Sequence, residues 1–137
     1  MINENLENLV RIRQLKKEAS SPIEINGLIE SGLVRLKDAK NEDLGLESRF
    51  DLAYNAAHAL SLAALRAAGY RSATRYHVFL CTQHTLDLEP ELWRVLEQAH
   101  RKRNLAEYEG DIDVDEQLVE ALVRVGDVLA ECVKIFD

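Results

Sequence analysis

The segment from Leu46 to Ala68 constrains the fold more than any other. Leu46, Phe50, Ala53, Ala57, Leu60, Ala64 and Ala67 recur in alternating steps of four and three. That spacing puts them on one side of an α-helix but would scatter them over both faces of a strand. Ala56, Ala59 and Ala63 widen the seam into a face of small residues, where a second helix can approach closely. At about 1.5 Å per residue the helix would be roughly 34 Å long. Gly69 supplies a left-handed stop after it. A chain built around this rod is expected to be all-α.

The same periodicity predicts five or six helices in total. The first is expected over Asn3–Glu18, with Leu6, Leu9, Val10 and Arg13 along one side. Ser21 and Pro22 then read as the N-cap and first turn of a second helix, whose stripe is Ile25, Leu28, Ile29, Leu33 and Leu36. Gly27 and Gly32 would each weaken that helix by about 1 kcal/mol in its interior. Further helices are expected over Thr74–Leu86, Pro90–Tyr108 and Val114–Phe136, with Gly110 and Asp111-Ile112-Asp113 separating the last two. No alternating segment is bracketed by turn signals, so no sheet is expected. Short linkers between helices favour antiparallel neighbours. Residues 1–137 are therefore expected to form one domain, an up-and-down bundle with a four-helix core.

Charge is unevenly distributed. The chain carries a net −7, yet residues 66–103 hold seven bases against four acids. Phosphates are drawn to locally concentrated Lys and Arg, so nucleic-acid binding would have to be focused on that middle third. No apolar run reaches the roughly 18 residues of a membrane span. Met1 to Asn8 is polar and acidic, unlike an export signal. A cytoplasmic protein without membrane contact is expected. Cys81 and Cys132 fall within apolar helical patterns and read as buried thiols.

The stretch from His100 to Tyr108 carries the most chemistry. Arg103 follows Leu96 by seven and Ala99 by four, so it continues the apolar seam of its helix. A cation on such a stripe must meet an anion or several acceptors, because an unpaired buried charge is very costly. Glu47, Asp51 and Asn55 share a strip of the third helix and are candidate partners. An Arg–carboxylate pair that merely fixes helix register satisfies this pattern. So does a polar pocket in which Arg103, aided by Arg101 and Lys102, binds a phosphate through its planar fork of donors. His/Cys/carboxylate spacing suited to zinc is missing, and the acids from Asp111 to Glu116 lack the glycine and glutamate positions of a calcium loop. No metal or other cofactor is expected.

The long helix bearing Glu47, Ser48, Arg49, Asp51, Ala53, Tyr54 and Asn55, the Gly69-Tyr70-Arg71 turn, His77, and Arg103-Asn104 followed by Tyr108 resemble the HEPN domains of prokaryotes. The resemblance covers the chain from about residue 22 to its end. It implies a helical bundle from toxin–antitoxin, abortive-infection or RNA-processing systems, acting as a homodimer, in many members as a metal-independent ribonuclease. Arg103 and Asn104 match the family's Arg-Asn pair, and Tyr108 stands where its His would be. No His follows Arg103 in the chain. Imidazole exchanges protons near neutrality, whereas a phenol ionises near pH 10. The expectation is thus an RNA- or nucleotide-binding regulatory module, with an antitoxin as a candidate protein partner. The alternatives are a ribonuclease using Tyr108 or His100 as acid/base, and a structural scaffold that docks a helical seam on another chain.

Overall fold

The computed structural model describes residues 3–110 and 113–136, so Asp111 and Ile112 of the expected helix-breaking stretch lie outside the described residues. The chain is an all-α bundle. Its helices are α1 (Glu4–Arg11), α2 (Pro22–Ala39), α3 (Leu46–Ala67), α4 (Arg75–Leu80), α5 (Thr82–Thr85), α6 (Pro90–Glu109) and α7 (Glu116–Cys132), followed by a 3-10 turn over Val133–Phe136. No helix among the described residues is long and apolar enough to cross a membrane.

Helix α3 is the axis of the molecule, as its seam predicts. Phe50, Ala53, Ala57, Leu60 and Ala64 are buried, and so are Ala56, Ala59 and Ala63 on the small-residue face. Helix α2 runs antiparallel to it: Ala39 meets Arg49, Gly32 meets Leu60, and Glu24 meets Arg66. Gly32 matters at that crossing because a Cβ there would stand 2.7 Å from Leu60 Cγ. The close approach turns α2 slightly from its expected stripe. Ile29 and Leu36 are buried, whereas Leu33 is 43% exposed. Helix α7 closes the other side through Leu118, Leu122, Val125 and Leu129. Gly126 there plays the part of Gly32, lying against Leu36.

Two expectations are corrected. The first helix stops at Arg11, well short of Glu18, and Lys16–Lys17 (β1) pairs antiparallel with Tyr70–Arg71 (β2). The small sheet arises because Arg13 takes a positive φ of 65° and turns the chain, so that Leu15 drops into a second apolar cluster with Leu6, Leu65, Tyr70, Val78 and Cys81. Burial of Leu15 outweighs continued helix. The expected helix over Thr74–Leu86 is also broken at Cys81, where Thr82 Oγ1 donates to the Phe79 carbonyl at 2.6 Å and competes with the helical ladder.

Helix α3 buries two cations, Arg49, whose Nε donates to the Ala39 carbonyl, and Arg66, 2% exposed. The Arg66 guanidinium donates to both carboxylate oxygens of Glu24 and to the carbonyls of Glu18, Ala19 and Tyr70. The N-terminal segment, α2 and the β2 turn are joined through this one side chain.

Candidate functional site

Helix α6 leans mainly on α7 and α4 and touches α3 sparingly. Beside the wedge of α4, the seam between α3 and α6 is a partly exposed strip of polar and aromatic side chains, here termed the cleft. Asp51, Tyr54, Asn55 and His58 recur along one strip of α3 by the i, i+3, i+4, i+7 rule. His100, Arg103 and Asn104 face them from α6, in antiparallel sense: His100 meets Tyr54, and one turn on Arg103 meets Asp51. Arg75, Tyr76 and Phe79 enter from α4. Thr74 fixes the start of that helix by accepting a hydrogen bond from the His77 backbone N–H.

Tyr54 is the centre of the arrangement. Its ring is buried, stacked on Phe50 and edge-on to Phe79. The Arg75 and Arg103 guanidinium carbons lie 5.6 Å and 5.8 Å from its centroid, within cation–π range. The Tyr54 hydroxyl lies 3.1 Å from His100 Nδ1, and the Asn104 amide nitrogen lies 3.2 Å from His100 Nε2. With the amide donating to Nε2, the neutral imidazole carries its proton on Nδ1 and donates to the Tyr54 oxygen. Burial, followed by the field of Arg75, lowers the His100 pKa and favours that neutral form. Burial drives the Tyr54 pKa upward against the pull of the two arginines.

Arg103 is held differently from the full burial its seam position predicts. Its side chain is 29% exposed, and Nη1 lies 3.6 Å from Asp51 Oδ1, a charge pair too long for a directed hydrogen bond. Arg103 Nε and Asp51 Oδ1 are both shielded from solvent and have no hydrogen-bond partner among the described residues. Asn55 is occupied otherwise, its amide donating to the Asp51 carbonyl and its oxygen facing Arg75 at 3.5 Å.

Of the residues singled out in the sequence, the cleft gathers Arg103, Asn104, His100, Asp51 and Asn55. Glu47 is exposed in the first turn of α3. Arg101 points to solvent beside Glu97, and Lys102 lies near Asp113 and Asp115 at the start of α7. Tyr108 is 90% exposed near the end of α6 and takes part in no side-chain hydrogen bond among the described residues. Sequence patterning missed the contribution of α4. Arg75 was visible only as one base among seven in the middle third, and Tyr76, which meets both Trp93 and His100, carried no signal. An Arg-Tyr pair directly after a helix-capping Thr was the available clue. No family model, curated protein or solved structure matches the chain.

Proposed function

We propose that the α3–α4–α6 cleft binds a phosphate-bearing ligand, an RNA segment or nucleotide, and that the protein is a HEPN-like cytoplasmic regulatory module of the toxin–antitoxin or defence type. The observation that carries this reading is the convergence of two guanidinium groups on Tyr54, one of them with a shielded donor, Arg103 Nε, that has no partner. A phosphate oxygen would satisfy that donor and add negative charge beside the two arginines, of which Arg103 faces Asp51 while Glu107 acts on Tyr54 and His100. Tyr76, at the solvent edge and 6.0 Å from Trp93, offers a stacking surface for a base. Anisotropy with a fluorescent single-stranded RNA tests it. Arg103→Ala and Arg75→Ala should each weaken binding roughly tenfold at low salt. Equal affinity in wild type and both variants would remove the proposal, and a wild type that never shifts RNA mobility leaves the scaffold reading.

A metal-independent ribonuclease is the second reading, favoured by one observation. His100, kept neutral, sits between Tyr54 and Asn104 one turn from Arg103. In this reading the acid/base task falls to His100, since Tyr108 stands apart. RNA cleavage that persists in EDTA and disappears in His100→Ala and Arg103→Ala supports it; intact RNA with the wild type does not. Either function is proposed to operate as a homodimer, with an antitoxin as the candidate protein partner of that state. Leu105 and Tyr108 are apolar side chains exposed on α6 beside the Arg103-Asn104 turn, and they supply material for a two-fold contact. Light scattering at micromolar concentration should give twice the chain mass.

A further inference from the structure

A groove of about 750 Å³ opens between the end of α1 and the small sheet. Arg13, Lys16, Lys17 and Arg71 line it together with the apolar Val10 and Leu15, and among the described residues no acidic side chain does. In a chain of net charge −7 this concentration is not a product of the bulk composition. Lys17 is paired with Glu7 at 2.7 Å, and Arg71 with Glu18. Among the described residues, Arg13 and Lys16 have no carboxylate within ion-pair distance.

Two features set the groove apart. Lys16 and Arg71 are directly opposite in the antiparallel register, so like charges share one face of the sheet. Arg13 holds the left-handed φ of 65°, a conformation that costs a non-glycine residue free energy and is often found at functional sites. The groove is also next to the cleft. Ala73 lines the groove, and Arg75, two residues later, reaches Asn55 and the Tyr54 ring. Two residues span at most about 7 Å.

Resting on the RNA reading of the cleft, we infer that this groove is a second phosphodiester site: it holds the backbone of a single-stranded RNA whose adjoining nucleotides lie against Arg75, Tyr76 and Arg103. A mononucleotide fills the cleft alone, whereas a longer strand engages both. The apolar lining gives sugars and bases a surface beside the four cations, and the phosphates relieve the repulsion between Lys16 and Arg71.

Anisotropy titrations with labelled single-stranded RNAs of about 4 and about 16 nucleotides test the inference. The variant Arg13→Asn/Lys16→Gln removes two cations and places at 13 a residue that tolerates positive φ. It should bind the long RNA at least roughly tenfold more weakly at low salt, with a slope of log K against log salt shallower by about 1.4. Its affinity for the short RNA should be unchanged. Lys16→Gln alone, at an exposed strand position, should show about half that slope change and guards against a disturbed turn. Unchanged affinity and slope in these variants, with loss in Arg103→Ala, would overturn the groove and leave the cleft standing. Loss in the groove variants with Arg103→Ala unaffected would keep the groove and remove the cleft. An oligoglutamate peptide that binds while both RNAs fail would assign the groove to an acidic protein segment and overturn the inference.

Discussion

At the scale of single residues, two arginines separate structure from function. Arg66 has its charge and donors satisfied by a carboxylate and three carbonyls. Arg103 keeps a shielded donor unused. The first pattern belongs to a structural cation, because removing it takes away the donor that several carbonyls and the Glu24 carboxylate share. Arg66→Ala should lower unfolding free energy by about 3 kcal/mol or more, read from urea denaturation. Lysine should rescue it only partly, since an ammonium cannot reproduce the forked contact with Glu24. Arg103→Ala should leave the urea midpoint nearly unchanged, and a large shift there would mark Arg103 as structural too. The sequence pointed to Arg103 and passed over Arg66 for a physical reason. Arg103 lies on a periodic apolar stripe that is visible locally, whereas three of the four residues that hold Arg66, namely Glu18, Ala19 and Glu24, lie more than 40 residues earlier in the chain.

At the scale of elements, helix-forming segments were legible wherever apolar spacing and caps agreed. Ser21 accepts the capping hydrogen bond expected of it, and Gly110 ends α6 with a φ of 72°. What the pattern could not contain was competition from tertiary contacts. The turn at Arg13 and the break at Cys81 both occur where a distant cluster or a local side-chain bond outbids the helix. Two glycines of α2 show the same distinction. A Cβ at Gly27 would meet nothing within 4 Å, but one at Gly32 would collide with Leu60. Gly27→Ala should therefore stabilise the fold by about 1 kcal/mol through helix propensity alone. Gly32→Ala should destabilise it by about 1–3 kcal/mol through overpacking. Thermal melts of the two variants shifting in the same direction would contradict the α2–α3 packing described above.

At the scale of the whole molecule, acid should act in two stages. Burial, then the charge of Arg75, lowers the His58 pKa from 6.5 to about 4. The unfolded chain thus binds a proton that the folded chain refuses. The associated stability is complete above pH 6.5 and is lost as pH falls from there towards 4, about 2 kcal/mol of it by pH 5. His84 and His100, also lowered by burial, act in the same sense. Glu7, Glu18 and Glu24 are lowered by hydrogen bonds to Lys17, Arg71 and Arg66 respectively, and their contribution fades only below about pH 4.5. Urea titrations of wild type at pH 7.5 and pH 5 should show the first loss, and His58→Gln should reduce it. An identical drop in the variant would show that His58 is not its source.

The molecule's apolar interior is divided, and the smaller part, around Leu6, Leu15, Tyr70 and Val78, encloses Cys81. Burial pushes that thiol up to about 12, so while its surroundings stay shut it is neither ionised nor within reach of an alkylating reagent. The rate at which a thiol label is captured at position 81 is therefore a stopwatch for the detachment of α1 and its sheet. Because the same segment forms one wall of the basic groove, any strand seated there would slow the clock.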